Sequence, residues 1–215
     1  MKKLLLSSAI ISTSLAGFAI PTMARDLNGA GWLDKERFQL RGRVVGVFAD
    51  GDGVVEGTAL ETDVGDAVTP ELDLTYFFTE NIAIEAIAGT AQHELSAGSL
   101  DLGETWILPP TLTLQYHFTP DQKFSPYIGA GINYSLFYGE DDGTGFDDLD
   151  VKGGFGYALQ AGVDYWFNEH WGVNFDAKYI DLEVDADVTL GGTRLHANNV
   201  DLNPWIIGVG VSYRF

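Results

Sequence analysis

The sequence predicts an all-β fold, an eight-stranded antiparallel transmembrane β-barrel with short periplasmic turns and longer acidic outer loops. Three observations carry that expectation. Large apolar residues recur at every second position in eight segments, the period at which successive side chains of a strand take opposite faces. The connections between segments alternate, short then long, as in outer-membrane barrels. The last segment sets Trp205, Ile207, Val209, Val211, Tyr213 and Phe215 against Ile206, Gly208, Gly210, Ser212 and Arg214, and the sequence ends on the aromatic Phe215. A free apolar edge of that kind invites aggregation, whereas a strand closing a barrel in a bilayer leaves no edge.

The chain has 215 residues, 13% of them aromatic, with 26 glycines and no cysteine. That composition suits one β domain without disulfides. Met1-Lys2-Lys3 followed by an uncharged apolar run and Thr22-Met23-Ala24 reads as a bacterial export signal over residues 1–24. Residues 25–36 read as a periplasmic extension with little regular structure, and residues 37–215 as the barrel. Removal of the signal takes the formal charge from −19 to −21. Such acidity argues against nucleic-acid partners and against a basic surface for anionic lipid. No later run of apolar residues is long enough for a membrane helix.

The strands follow in order. Residues 37–49 set Phe38, Leu40, Val44 and Phe48 against Gln39, Arg41, Arg43, Val45 and Val47. Residues 50–66 form a loop with six acids. Residues 67–78 set Leu72, Leu74, Tyr76 and Phe78 against Glu71, Asp73, Thr75 and Phe77, and a short turn leads to 82–95, where Ala83, Glu85, Ile87 and Gly89 take the second face. Residues 96–108 read as a second loop, and the fourth strand starts after Pro109-Pro110, where proline is tolerated. The fifth and sixth strands, 126–139 and 154–167, flank a third acidic loop. The seventh runs over 171–187, and a loop through Gly191-Gly192 leads to the closing strand. Tyr76, Phe78, Tyr116, Phe118, Tyr165, Phe167, Trp171, Tyr213 and Phe215 cluster beside the short turns, as an interfacial girdle does. A soluble barrel would carry a charged outer face. Here the second face is rich in Gly, Ala, Ser and Thr, which suits a narrow lumen.

The second face is charged toward the short turns. Arg41, Arg43, Glu85, Asp164, Asp176 and Arg214, with Gln115 and His117, are expected to pair as a periplasmic plug, since unpaired charges in a tight lumen are costly. The same network is equally expected of a barrel that carries nothing. Higher up, Val45, Val47 and Ile87 are expected to line a small apolar pocket or to pack together, with Gly129 and Gly131 making room. Asp141, Asp142, Asp147, Asp148 and Asp150 lack the spacing of a calcium loop and read as solvated surface. No catalytic, metal or cofactor site is expected. The four histidines lack zinc-site spacing, and no Gly-x-Ser-x-Gly occurs.

Several segments resemble the OmpW family of small outer-membrane proteins: Leu108-Pro109-Pro110-Thr111-Leu112, the run Pro126 through Tyr134, Gly162-Val163-Asp164-Tyr165, and Asp201-Leu202-Asn203-Pro204-Trp205 leading to Tyr213-Arg214-Phe215. The resemblance implies a bacterial outer-membrane barrel with a lumen unusually apolar for a porin, passing small hydrophobic molecules. It also implies that the terminal strand, with Tyr213 and Phe215, is read by the barrel-assembly machinery. Lys178 stands at an inward position where related sequences can carry a large apolar residue, which makes it a candidate lumen gate. The expected partners are outer-membrane lipid and lipopolysaccharide, small hydrophobic solutes and the assembly machinery, for a monomer without cofactor. Lateral release of the solute above the plug is the expected route. The alternative is a structural or receptor-type surface barrel whose loops bind ions, phage or host without transport.

Overall fold

The computed structural model describes residues 27, 29–48, 53–54, 61–64, 66–97, 100–142, 148–190, 193–201 and 203–215, with side chains for 27, 29–48, 66–90, 106–136, 153–182 and 203–215. The expected export signal, residues 1–24, and the side chains of the third loop's aspartates fall outside the described residues. The barrel strands are β1 (Phe38–Phe48), β2 (Ala67–Phe77), β3 (Ile82–Gly89), β4 (Thr111–His117), β5 (Phe124–Asp142), β6 (Gly154–Trp166), β7 (Trp171–Leu190) and β8 (Trp205–Arg214). Each pairs antiparallel with the next, and β8 returns to β1 in the register Val44↔Val209 and Gly42↔Val211, closing the barrel.

The burial pattern is inverted relative to a soluble protein. Leu114 is 58% exposed, while its neighbour Thr113 is fully buried. Along β8 the outward Val209 is 60% exposed, and the inward Ser212 is fully buried. Such a surface is stable only against lipid. Aromatic belts bound it on both sides. The rings of the lower belt predicted from sequence pair edge to face, as in Phe38–Tyr76, Tyr116–Phe118 and Tyr213–Phe215. A second belt near the outer side includes the pairs Tyr134–Phe155 and Tyr179–Trp205. From Trp205 to Tyr213, eight steps of roughly 3.4 Å tilted by about 40° rise roughly 21 Å, close to the apolar band of such barrels.

The short turns are closed by their own side chains. Thr79 Oγ1 accepts from the amides of Asn81 and Ile82, and Asn168 Oδ1 from those of His170 and Trp171. On the other side the strands run further than the sequence suggests. The expected second loop, 96–108, is largely a strand, Leu100–Leu108, paired with Ala91–Ala97 and β5. Pro109-Pro110 removes two amides and so imitates a strand start. The break is repaired locally, because Tyr134 N donates to Pro110 O and Asn133 Nδ2 to Pro109 O.

Candidate functional site: a charged interior, an apolar cluster and a wall break

The inward side chains fill the lumen in levels. The middle level is organised by two arginines of β1, two residues apart and therefore on one face. Arg41 donates from Nη1 to Glu85 Oε1 at 2.6 Å and to Thr75 Oγ1 at 3.0 Å, and from Nη2 to Asp164 Oδ2 at 2.8 Å. Its guanidinium lies 4.8 Å from the Tyr127 ring centre. Asp164 also accepts from Arg41 Nε, Gln39, Asn174 and Ser212, so five hydrogen bonds from four side chains hold it. Arg43 faces four carboxylates: Glu71 at 3.0 Å, Asp73 at 2.5 Å, Glu85 at 3.2 Å and Asp176 at 3.2 Å. Gln160 donates to both Glu85 and Asp176, and Tyr127 Oη donates to Asp176 at 2.7 Å.

Inward glycines make this packing possible. A Cβ at Gly162 would overlap the Tyr127 hydroxyl, one at Gly129 would meet Gln160 Oε1 at 3.0 Å, and one at Gly210 would run into β1 beside Arg43. Gly129 therefore serves the polar network rather than the apolar pocket expected above it.

The predicted plug residues come together, apart from Arg214. Arg41, Arg43, Glu85, Asp164 and Asp176 form one connected network. Arg214 instead lies 3.6 Å over the Trp166 ring and has no carboxylate within ion-pair distance among the described residues. A desolvated cation–π contact of that kind stabilises by about 2 kcal/mol. Trp166, Phe77 and Leu27 are buried near the periplasmic end, and His117 stacks on Tyr127 and meets Phe77 at a tilt. These apolar members, with Tyr127, Glu71 and Asp73, were not among the expected site residues. Strand parity put Tyr127, Phe77, Trp166, Glu71 and Asp73 on the correct face, but parity does not give height. Height follows from register, such as Arg41↔Asp73 and Arg43↔Glu71, which a long first loop conceals.

Lys178 is the upper boundary of the charge. Its Nζ donates to both oxygens of Glu71, at 2.7 and 2.9 Å, and lies 3.2 Å from Asp176. The bridge crosses from β7 to β2. Beyond it Val45, Ala158, Ile180, Leu182 and Ile206 form an apolar cluster with Val47 against it. Ile87 is buried but lies opposite Asp73, outside that cluster.

The wall is interrupted beside Glu71. The β2–β3 ladder ends at Glu71↔Gly89, and among the described residues pairing between these two stretches resumes only at Val64↔Leu95. Pro70, with no amide hydrogen, stands at the break. The neighbouring β3–β4 ladder ends at Ile87↔Thr111 and resumes past the proline pair at Ala91↔Ile107. A shallow, open recess of about 700 Å³ on the lipid side extends from Val209 and Val211 of β8 across Val44 of β1 to this region, where Pro70, Leu72, Ala88, Gly89, Thr90 and Leu108 line it.

The network also ranks its carboxylates. Asp164 holds five donors, whereas Asp73 has one ion contact and no hydrogen bond of good geometry. Asp164→Asn is expected to lower stability by about 3 kcal/mol or more, since it takes one of two carboxylates from the buried Arg41 and breaks up a set of five buried hydrogen bonds. Asp73→Asn is expected to stay within about 1 kcal/mol, because Arg43 retains three other carboxylates. Urea unfolding of the two variants in lipid checks the order.

Comparison with known proteins agrees with this architecture. Residues 34–215 match the model of the OmpW family. The chain is 48% identical over 184 residues to the uncharacterised outer-membrane protein y4mB of Sinorhizobium fredii, covering 83% of this chain and 80% of that one. It is 34% identical to outer membrane protein W of Escherichia coli, with both chains fully covered. The crystal structure of OprG from Pseudomonas aeruginosa superposes with a TM-score of 0.76 at 29% identity, over 83% of this chain and 95% of that one. A closed eight-stranded barrel with an apolar outer surface, matched over nearly all its length, places this chain in the OmpW family of outer-membrane proteins.

Proposed function

We propose that this protein passes small hydrophobic molecules across the outer membrane, by way of the apolar cluster and sideways release between β2 and β3. The observation that carries the reading is the coincidence of two features at one height. The Lys178–Glu71 bridge crosses the lumen where the β2–β3 ladder stops. An apolar solute leaving Val45, Val47 and Ile206 meets a layer of charge that it cannot desolvate. The adjacent wall lacks ladder hydrogen bonds that must be broken, and the lipid-side recess offers apolar surface. Lys178 thus acts as the floor that turns the solute, and the charged residues below it keep ions from crossing along the axis. Residues 1–24 direct export and are removed, and Tyr213 and Phe215 mark the closing strand for assembly.

The test is uptake of a labelled alkane into cells with and without the gene, alongside single-channel conductance of the purified barrel. Uptake that depends on the gene, with little ion conductance, is expected. Equal uptake in both strains would leave the surface-barrel reading, in which the hydrogen-bonded interior serves only to stabilise loops that bind ions, phage or host.

A further inference from the structure

The segment before β1 crosses the periplasmic rim from inside to outside. Leu27 is 8% exposed and packs with Ala30 against Phe77 and Ala83, inside the mouth. Five positions later the chain is outside, with Trp32 73% and Leu33 86% exposed. Arg37 ties the crossing down, donating to the carbonyl oxygens of Ala30, Gly31, Phe77 and Phe78 at 2.8–3.0 Å. Tyr76, a member of the lower belt, donates from Oη to Trp32 O at 2.7 Å, which fixes Trp32 at the level of that belt. The Arg37 guanidinium also lies 5.7 Å from the Trp32 ring centre.

We propose that Trp32 and Leu33 sit in the headgroup layer of the periplasmic leaflet and hold the N-terminal segment as a strap whose inner end, Leu27, forms part of the floor of the barrel. The partner is the lipid surface itself. Two large apolar side chains left in water at one bend are unfavourable, and an indole beside an aromatic belt is the side chain that the interface favours. Asp34 and Lys35 follow and remain exposed, so the apolar contact is confined to one bend. The neutral pair of anchors also suits a chain too acidic to be drawn to anionic lipid by charge.

The chain has no cysteine, so single labels are unambiguous. Nitroxides at Trp32→Cys and at Leu33→Cys, in the barrel reconstituted into phosphatidylcholine bilayers, are compared with one at Glu80→Cys on the β2–β3 turn. The label at 33, and that at 32, should collide several-fold more with oxygen relative to a water-soluble nickel chelate than the label at 80. Separately, Leu27→Cys should react slowly with a water-soluble thiol reagent, and several-fold faster once Trp32 and Leu33 are both replaced by serine. Labels at 32 and 33 as open to the nickel chelate as that at 80 would overturn the anchor, and an unchanged rate at Leu27→Cys would overturn the strap.

Discussion

Replacing Arg41 and Arg43 together by alanine is expected to open a cation-selective conductance and to leave apolar uptake unchanged. The two guanidiniums occupy the centre of the lumen and hold Glu71, Asp73, Glu85, Asp164 and Asp176 between them. Truncation removes two large, fully buried side chains and leaves five carboxylates facing the vacated space. Water enters because the carboxylates can no longer be satisfied dry. The field it finds is negative, so cations pass more readily than anions. Stability falls by more than about 3–5 kcal/mol, the usual result of breaking a buried ionic group, so the measurement is made on barrels shown by protease resistance to have folded. Reversal potentials in a salt gradient read the selectivity, and alkane uptake reads the second half of the expectation. Uptake that rises in step with conductance would mean that solutes travel along the axis, not through the wall.

Bridging the wall break should have the opposite effect. Pro70 and Thr90 flank the interruption and both line the lipid-side recess. Thr69 Oγ1 already donates to Thr90 O across it, so the two strands lie close there. With Pro70→Cys and Thr90→Cys, in a chain otherwise free of cysteine, a short cleavable thiol cross-linker fixes the gap. Apolar uptake is expected to fall to the level of cells lacking the gene and to recover on cleavage, with conductance unaffected throughout. Full uptake in the cross-linked barrel would refute the lateral route.

The fold was legible because a strand in a barrel wall has only one degree of freedom in sequence, its parity. Val209 and Gly210, or Leu114 and Thr113, declare their faces without any knowledge of neighbours. The pairing of Arg41 with Glu85 and Asp164 was legible for the same reason: charges placed inward in a narrow lumen have no other recourse. Arg214 was misjudged because its height decides its partner. One strand end below Asp164, it meets the ring of Trp166 instead. The wall break was invisible for a different reason. Pro70 and Gly89 lie on separate strands, and only the register that brings Glu71 opposite Gly89 shows that ladder bonds are lacking beyond them. Proline pairs misled in the other direction, since Pro109-Pro110 looks like the end of a loop while strand continues on both sides.

The joining of β8 to β1 has a consequence for how this molecule comes into being. Arg41 sits near the start of the barrel and Asp164 far along it, on strands that are not neighbours. Ser212, on the last strand, supplies one of the donors that hold Asp164. Until the ends of the sheet meet, these charges have neither water nor each other once the wall has entered lipid. A half-inserted sheet is therefore the least favourable species on the route. The order of events this favours is a sheet that curls and neutralises its interior before or as it enters the bilayer. Long-range contacts then make the final step slow and all-or-none.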